Sequence, residues 1–240
     1  MYKPIMIVLL LSLGLNVPAQ VTYNEDGNFD EPGSSLDFSK MSFGLKISPA
    51  VSWINVVNTD MQADGAALKF GVGGVLGYEL LPHFSLVTGV NYNSYGGYVY
   101  DNKSLNDTVF RNNYLASYSE VEVPIIVKLG TKPSHKMAYF IQGGFSAGFV
   151  NNALEKRIPL DKNAKPEYTD MTLKTNPTRL NCLLGAGVEY SLGKKTNLFG
   201  LVMYKNSLTN LANNVAYGNR YASSLQMYPG SMEFSVGIMF

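Results

Sequence analysis

The chain has 240 residues, with Lys+Arg 19 against Asp+Glu 18 and a formal net charge of +1. Charged residues make up only 15%, below the roughly 25% usual in soluble domains, and the even balance argues against the basic patch a nucleic-acid partner needs. The one cysteine, Cys182, excludes an internal disulfide and a Cys-rich metal site, while Gly (23), Tyr (16) and Phe (12) are abundant.

Residues 1–19 read as a signal peptide. Lys3 supplies the charged start, residues 5–15 are apolar, and Val17-Pro18-Ala19 offers small residues for cleavage. The alternative is an N-terminal anchor, for which the apolar part is short. Residues 20–41 read as a polar leader, with Glu25, Asp26, Asp30, Glu31 and Asp37 around Pro32-Gly33.

From residue 42 a period of two takes over. The first run, 42–54, sets Phe43, Leu45, Ile47, Val51 and Trp53 against Ser42, Gly44, Lys46, Ser48, Ala50 and Ser52. Runs at 69–80 and 84–93 follow, then one setting Val121, Val123, Ile125, Val127 and Leu129 against Glu120, Glu122 and Lys128. Further runs cover 137–149, 180–190 and 231–240, all alternating, while 197–206 is apolar on both faces and leaves its orientation open. Such alternation predicts strands with one apolar face. Pro49 and Pro124 fall inside two of them and predict a bulge, or a position beyond the ladder.

The links alternate in length: short at 81–83, 130–136 and 192–196, long at 56–68, 94–117, 150–178 and 207–230. No later segment approaches the ~20 apolar residues of a membrane helix. The face opposite the apolar one is mostly Gly, Ser and Asn, not the Lys and Glu that water would call for. A barrel turned inside out fits: small residues crowd the lumen, and the charge-free face meets lipid. Tyr78, Tyr92, Tyr139, Tyr190 and Trp53 lie near strand ends, where an aromatic girdle would sit. The fold class is therefore all-β, an eight-stranded antiparallel up-and-down transmembrane β-barrel over residues 42–240. An even strand count puts both termini on one side, the periplasm of an outer membrane, with residues 20–41 as a periplasmic leader.

Lys46, Glu79, Glu120, Glu122, Lys128, Glu189 and Glu233 face inward and are expected to form a lumen charge network, acids outnumbering bases. His83 and His135 fall in short turns without acidic company, so neither a catalytic site nor a metal site is expected, and no cofactor. The link rich in Asn and Tyr is the expected partner-binding loop, through Asn210, Asn213, Asn214, Tyr217, Asn219 and Tyr221.

Three segments carry a resemblance. Glu122-Val123-Pro124-Ile125-Ile126-Val127-Lys128 resembles the E-[IV]-P-x-x-x-K strand of the PorT-like outer-membrane β-barrel family of Bacteroidota. Ser207-Leu208-Thr209-Asn210-Leu211 is similar to that family's G-L-T-N-[IL] segment, and the chain closes on an aromatic, Phe240, like the signal read by the barrel-assembly machinery. Ser207 stands where Gly is usual and Met203 where Arg is frequent. The resemblance implies an eight-stranded barrel, tolerance of Pro124, and a namesake active in type IX secretion. The expected function is a non-enzymatic structural or protein-interaction role in the cell envelope, with outer-membrane lipid, the assembly machinery and an envelope protein as partners. The alternatives are an accessory subunit of a type IX secretion or other envelope machine, a porin-like small-solute channel, and a soluble exported barrel holding an apolar ligand.

Overall fold

The computed structural model describes residues 38–57, 61–105, 108–159, 165–193, 196–213 and 225–240. The expected signal peptide and residues 20–37 of the leader lie outside the described residues, as do Asn214, Tyr217, Asn219 and Tyr221. Lys40–Phe240 forms one unit. Its strands are β1 Met41–Val57, β2 Met61–Leu81, β3 Phe84–Leu105, β4 Thr108–Gly130, β5 Met137–Ile158, β6 Glu167–Asp170, β7 Thr178–Ser191, β8 Asn197–Ser207 and β9 Gln226–Met239. Eight of them close a ring, β1-β2-β3-β4-β5-β7-β8-β9, with β9 returning to β1, and β6 lies outside it on β5. Every pairing is antiparallel.

Burial is inverted relative to a soluble domain. Ile125, Leu184 and Val236 are 63%, 65% and 59% exposed, while Ser52, Glu120 and Asn181 are 0% exposed. Phe43, Leu45, Ile47, Phe70, Val72 and Val123 extend the outward apolar surface around the ring. Only an apolar surround makes that arrangement favourable, and closure leaves no unpaired edge to lipid. Tyr139, Tyr190 and Phe240 rim the belt near the end with short turns; Trp53 and Tyr92 rim it toward the opposite end, where Trp53 stacks 6.3 Å from Tyr204. No described helix is long and apolar enough to cross a membrane; the crossings are strands.

The sequence runs understate the strands. β2, β3, β4 and β5 have 21, 22, 23 and 22 residues, where a membrane-spanning strand needs about 9–11. The expected loop 94–117 is instead the continuation of β3 and β4, and the expected loop 56–68 is largely β1 and β2. Beyond the apolar belt no face must be apolar, so the period fades although the ladder continues. At this long-strand end β2–β6 stand above the rest of the ring.

The expected bulges at the prolines are absent. β1 and β9 keep one register across Pro49 (Ile47↔Val236, Ala50↔Glu233), and β3 and β4 keep one across Pro124 (Thr88↔Ile125, Asn91↔Glu122). Each proline sits at a gap in one ladder, where its missing N–H costs least. Thr88 Oγ1 donates to the Pro124 carbonyl at 2.7 Å. Bulges fall elsewhere, at Ser119/Glu120 and along β2.

The open question of residues 197–206 is settled by glycines across the ladder. Phe199, Leu201 and Met203 point inward, and Leu198, Val202 and Tyr204 outward. A side chain at Gly237 would collide with the Phe199 ring, and one at Gly187 with Phe140. Rings fill the lumen where facing residues have no side chain. The two histidines are turn residues: Pro82-His83 joins β2 to β3 with His83 at φ 69°, and His135 has φ 48°.

Candidate functional site

The lumen is layered from the short-turn end upward. First comes an apolar cluster of Ile126, Phe140, Leu183, Phe199, Leu201 and Met203. Lys128 and Glu189 form an ion pair beside it, the ammonium 4.6 Å from the centre of the Phe140 ring. A cavity of about 60 Å³ runs from this pair to Lys46, Glu122, Lys205 and Glu233, room for a few waters.

The second layer is ionic. Lys205 sits between two carboxylates, 2.5 Å from Glu122 and 2.8 Å from Glu233. Tyr95 donates its hydroxyl to Glu233 at 2.6 Å, the Asn93 amide donates to Glu122 at 2.7 Å, and Lys205 also donates to Tyr95. Beside this group, Arg179 pairs with Glu120 at 3.0 Å, donates to Asn181 at 2.8 Å and to the Tyr118 hydroxyl, and stacks 4.7 Å from the Tyr118 ring. Each of these buried charges thus has an opposite partner, the condition under which buried ions persist, although Glu120 Oε1 and Arg179 Nε are left without a hydrogen bond.

The third layer is an apolar plug of Ile54, Met61, Tyr95, Val99, Tyr118, Ala153, Met171, Leu211, Ala212, Leu225 and Met227. Two devices build it. The β1–β2 ladder stops at Ser52↔Ala67, and β3 leans onto β1: a side chain at Gly97 would come within 2.8 Å of the Ile54 nitrogen. The second device is a strap from residues 171–176 and 208–213. Asn210 Oδ1 accepts from the Ala212 and Met227 amides at 3.0 and 2.8 Å, and its Nδ2 donates to the Leu225 carbonyl at 3.0 Å. Asn176 Nδ2 donates to the Asn210 and Ala212 carbonyls at 2.8 and 3.1 Å, and Met171 bonds back to Ala153 at 2.8 Å. At the start of the strap the Thr172 backbone N–H, 2.8 Å from Asp170 Oδ1, holds that carboxyl below its usual range.

Of the residues singled out from sequence, Glu122 and Glu233 meet in the ionic layer, Lys46 lines the cavity beneath them, Glu120 lies alongside, and Lys128 and Glu189 pair near the short turns. Glu79 is exposed at the end of β2 and is not brought into the network. Lys205, Arg179, Tyr95 and Tyr118 were not singled out. With them the lumen is balanced among the described residues: Lys46, Lys128, Arg179 and Lys205 stand with Glu120, Glu122, Glu189 and Glu233. The expected excess of acid is corrected accordingly. Lys205 had a signal, being in phase with Met203 and Leu201 and the one charge in its run.

In the expected binding loop, Asn210 spends its side-chain amide inside the strap and Asn213 bonds to Lys174 through its backbone, 2.9 Å away. Phe240 closes the ladder, its amide donating to the Phe43 carbonyl at 2.8 Å and its ring 5.4 Å from that of Phe43. Among the described residues no group of three or more His, Cys, Asp or Glu is gathered for a metal.

Solved structures of similar shape include several outer membrane proteins of low identity. Neisserial surface protein A is 13% identical, with 82% of this chain and 95% of that one covered and a TM-score of 0.45. The outer membrane protein OprG of Pseudomonas aeruginosa is 11% identical, with 83% and 95% covered and a TM-score of 0.41. The outer membrane protease OmpT of Escherichia coli is 7% identical, with 86% and 98% covered and a TM-score of 0.49. No curated protein sequence matches the chain. The family profile described as an outer membrane protein beta-barrel domain matches residues 19–213. With the closed ring, its inverted burial and that match, the chain belongs to the outer membrane protein β-barrel family.

Proposed function

We propose that the protein is a non-enzymatic, closed outer-membrane barrel that serves the cell envelope through contacts made at its long-strand end, with both termini in the periplasm. The observation that carries this reading is the filled lumen. An apolar cluster, a charge-balanced ionic layer and an apolar plug lie one above another along its axis. A solute channel would need a continuous wet path, and the balanced charges leave no net field to select an ion. The material left over is strand length beyond the membrane, which suits contact with a partner. Against a hydrolytic role, His83 and His135 stand in short turns and neither joins the ionic layer.

Membership of the PorT-like group, with Phe240 read by the barrel-assembly machinery, belongs to the same proposal. It draws on the strand 122–128 and on the segment 207–211, whose Asn210 pins the strap. That resemblance also supports the second reading, an accessory subunit of a secretion or other envelope machine. A tagged pull-down from the native envelope in mild detergent separates the two. A stoichiometric partner favours the machine subunit, and a chain recovered alone favours the stand-alone barrel. Recovery without detergent would overturn the membrane reading.

A further inference from the structure

Above the lipid belt, the outward face of β3–β6 changes character row by row. Residues directly opposite in a ladder share a face, so the register defines the rows. Tyr92, Val121 and Phe149 close the apolar belt. Ser94, Ser119 and Asn152 form a polar row above them, and Gly96, Ser117, Leu154 and Asp170 the next. Then apolar and aromatic character returns: Tyr98, Leu115, Lys156 and Tyr168 run across all four strands in one row. Tyr168 is 62% exposed, and the Lys156 ammonium lies 5.7 Å from the centre of its ring, so the two side chains share a surface. The opposite face of these strands is occupied, since Tyr118 and Ala153 are buried in the plug with Tyr114 and Ala116 packed against them.

Height decides what can cover this row. Leu115 stands six residues along β4 from Val121, ~20 Å of strand and about 15 Å of height at the usual ~40° tilt. Phospholipid headgroups fill only about 5–7 Å beyond the hydrocarbon, the level of the serine rows. A headgroup built of several sugars reaches the tyrosine row. Its faces present C–H groups to aromatic rings, and its phosphates would meet Lys156. The row stands on the same outward face as the lipid belt, with two rows between them, so its neighbour in the membrane plane is a lipid.

We propose that the Tyr98–Leu115–Lys156–Tyr168 row binds the phosphorylated oligosaccharide headgroup of an outer-leaflet saccharolipid, holding a lipid shell against one side of the barrel. This rests on the proposed placement of the long-strand end outside the cell. The test uses the full chain, refolded in dodecyldimethylamine oxide, a detergent without sugar, and titrated with fluorescent lipooligosaccharide. Lipid A without core sugars and phosphatidylglycerol serve as separate probes. Lipooligosaccharide is expected to bind at least tenfold more tightly than either. Tyr168→Ser with Lys156→Ser is expected to lose at least tenfold, with folding checked by heat-modifiable gel mobility. Lys156→Glu alone decides the matter if the double variant does not fold. Unchanged affinity in these variants, or equal binding of phosphatidylglycerol, overturns the proposal. Placement is tested apart, by labelling Tyr168→Cys in a Cys182→Ser background. Labelling on intact cells with no saccharolipid affinity removes this inference alone, whereas labelling only after the envelope is opened removes the placement and the inference together.

Discussion

Lys205 holds Glu122 and Glu233 together inside the barrel, and Tyr95 closes the group by donating to Glu233. Replacing it by Met leaves two carboxylates buried without their cation, which costs roughly 3–5 kcal/mol. Lys205→Met is therefore expected to lower the unfolding free energy by that amount in urea titrations of the barrel refolded into lipid vesicles. A loss under about 1 kcal/mol, the range of an exposed pair, would show that the group is not desolvated as described. Outside the membrane, Asp170 offers a finer test. Its carboxyl is held below the ordinary 3.8 by the Thr172 backbone N–H. A depressed value means the contact contributes fully above pH 3.8 and is lost as pH falls through the lower folded value. The Thr172 amide proton should titrate by NMR with a midpoint under 3.8, and a midpoint at or above it would remove the bond from the account.

At the scale of elements, the belt was legible and the extensions were not. Strict alternation reads out a strand only where its two sides meet different surroundings, as in Val121 to Leu129 with lipid on one side and Glu122 and Lys128 on the other. Where β3 and β4 rise out of the membrane, both sides are mixed, and Tyr95 and Tyr118 look like loop residues although each is buried in the ladder. The same limit hid half of the ionic layer. Lys205 sits in a run apolar on both faces, because on its inward side Phe199 fills the space left by Gly237, its partner on the neighbouring strand. Turn chemistry can be tested directly. His83 holds φ 69°, a left-handed conformation natural to Gly and costing other residues about 1 kcal/mol. His83→Gly should therefore raise stability by about that much, read as a higher urea midpoint. A lowered midpoint would mean the imidazole makes a contact that outweighs the strain.

For the whole molecule, the sequence conveyed the inverted polarity and the eight-stranded ring, because lipid imposes both on every strand. It pointed to a crowded lumen, but not to how the long-strand end is shut. Closure arises from contacts between distant segments: Leu211 with Met227, Asn176 with Asn210, and Gly97 beneath Ile54. None of these leaves a periodic trace, and the segment 207–211 records only that Asn210 is there. The ionic layer and the plug then act in series, so opening either alone leaves the lumen blocked by the other. The measurement that tests this most directly is single-channel recording of the refolded full chain in planar bilayers. A silent membrane at all voltages, with insertion verified by recovery of folded barrel from the bilayer, is the predicted result. Steady ohmic steps from the unmodified chain would contradict the filled lumen and make the protein a channel.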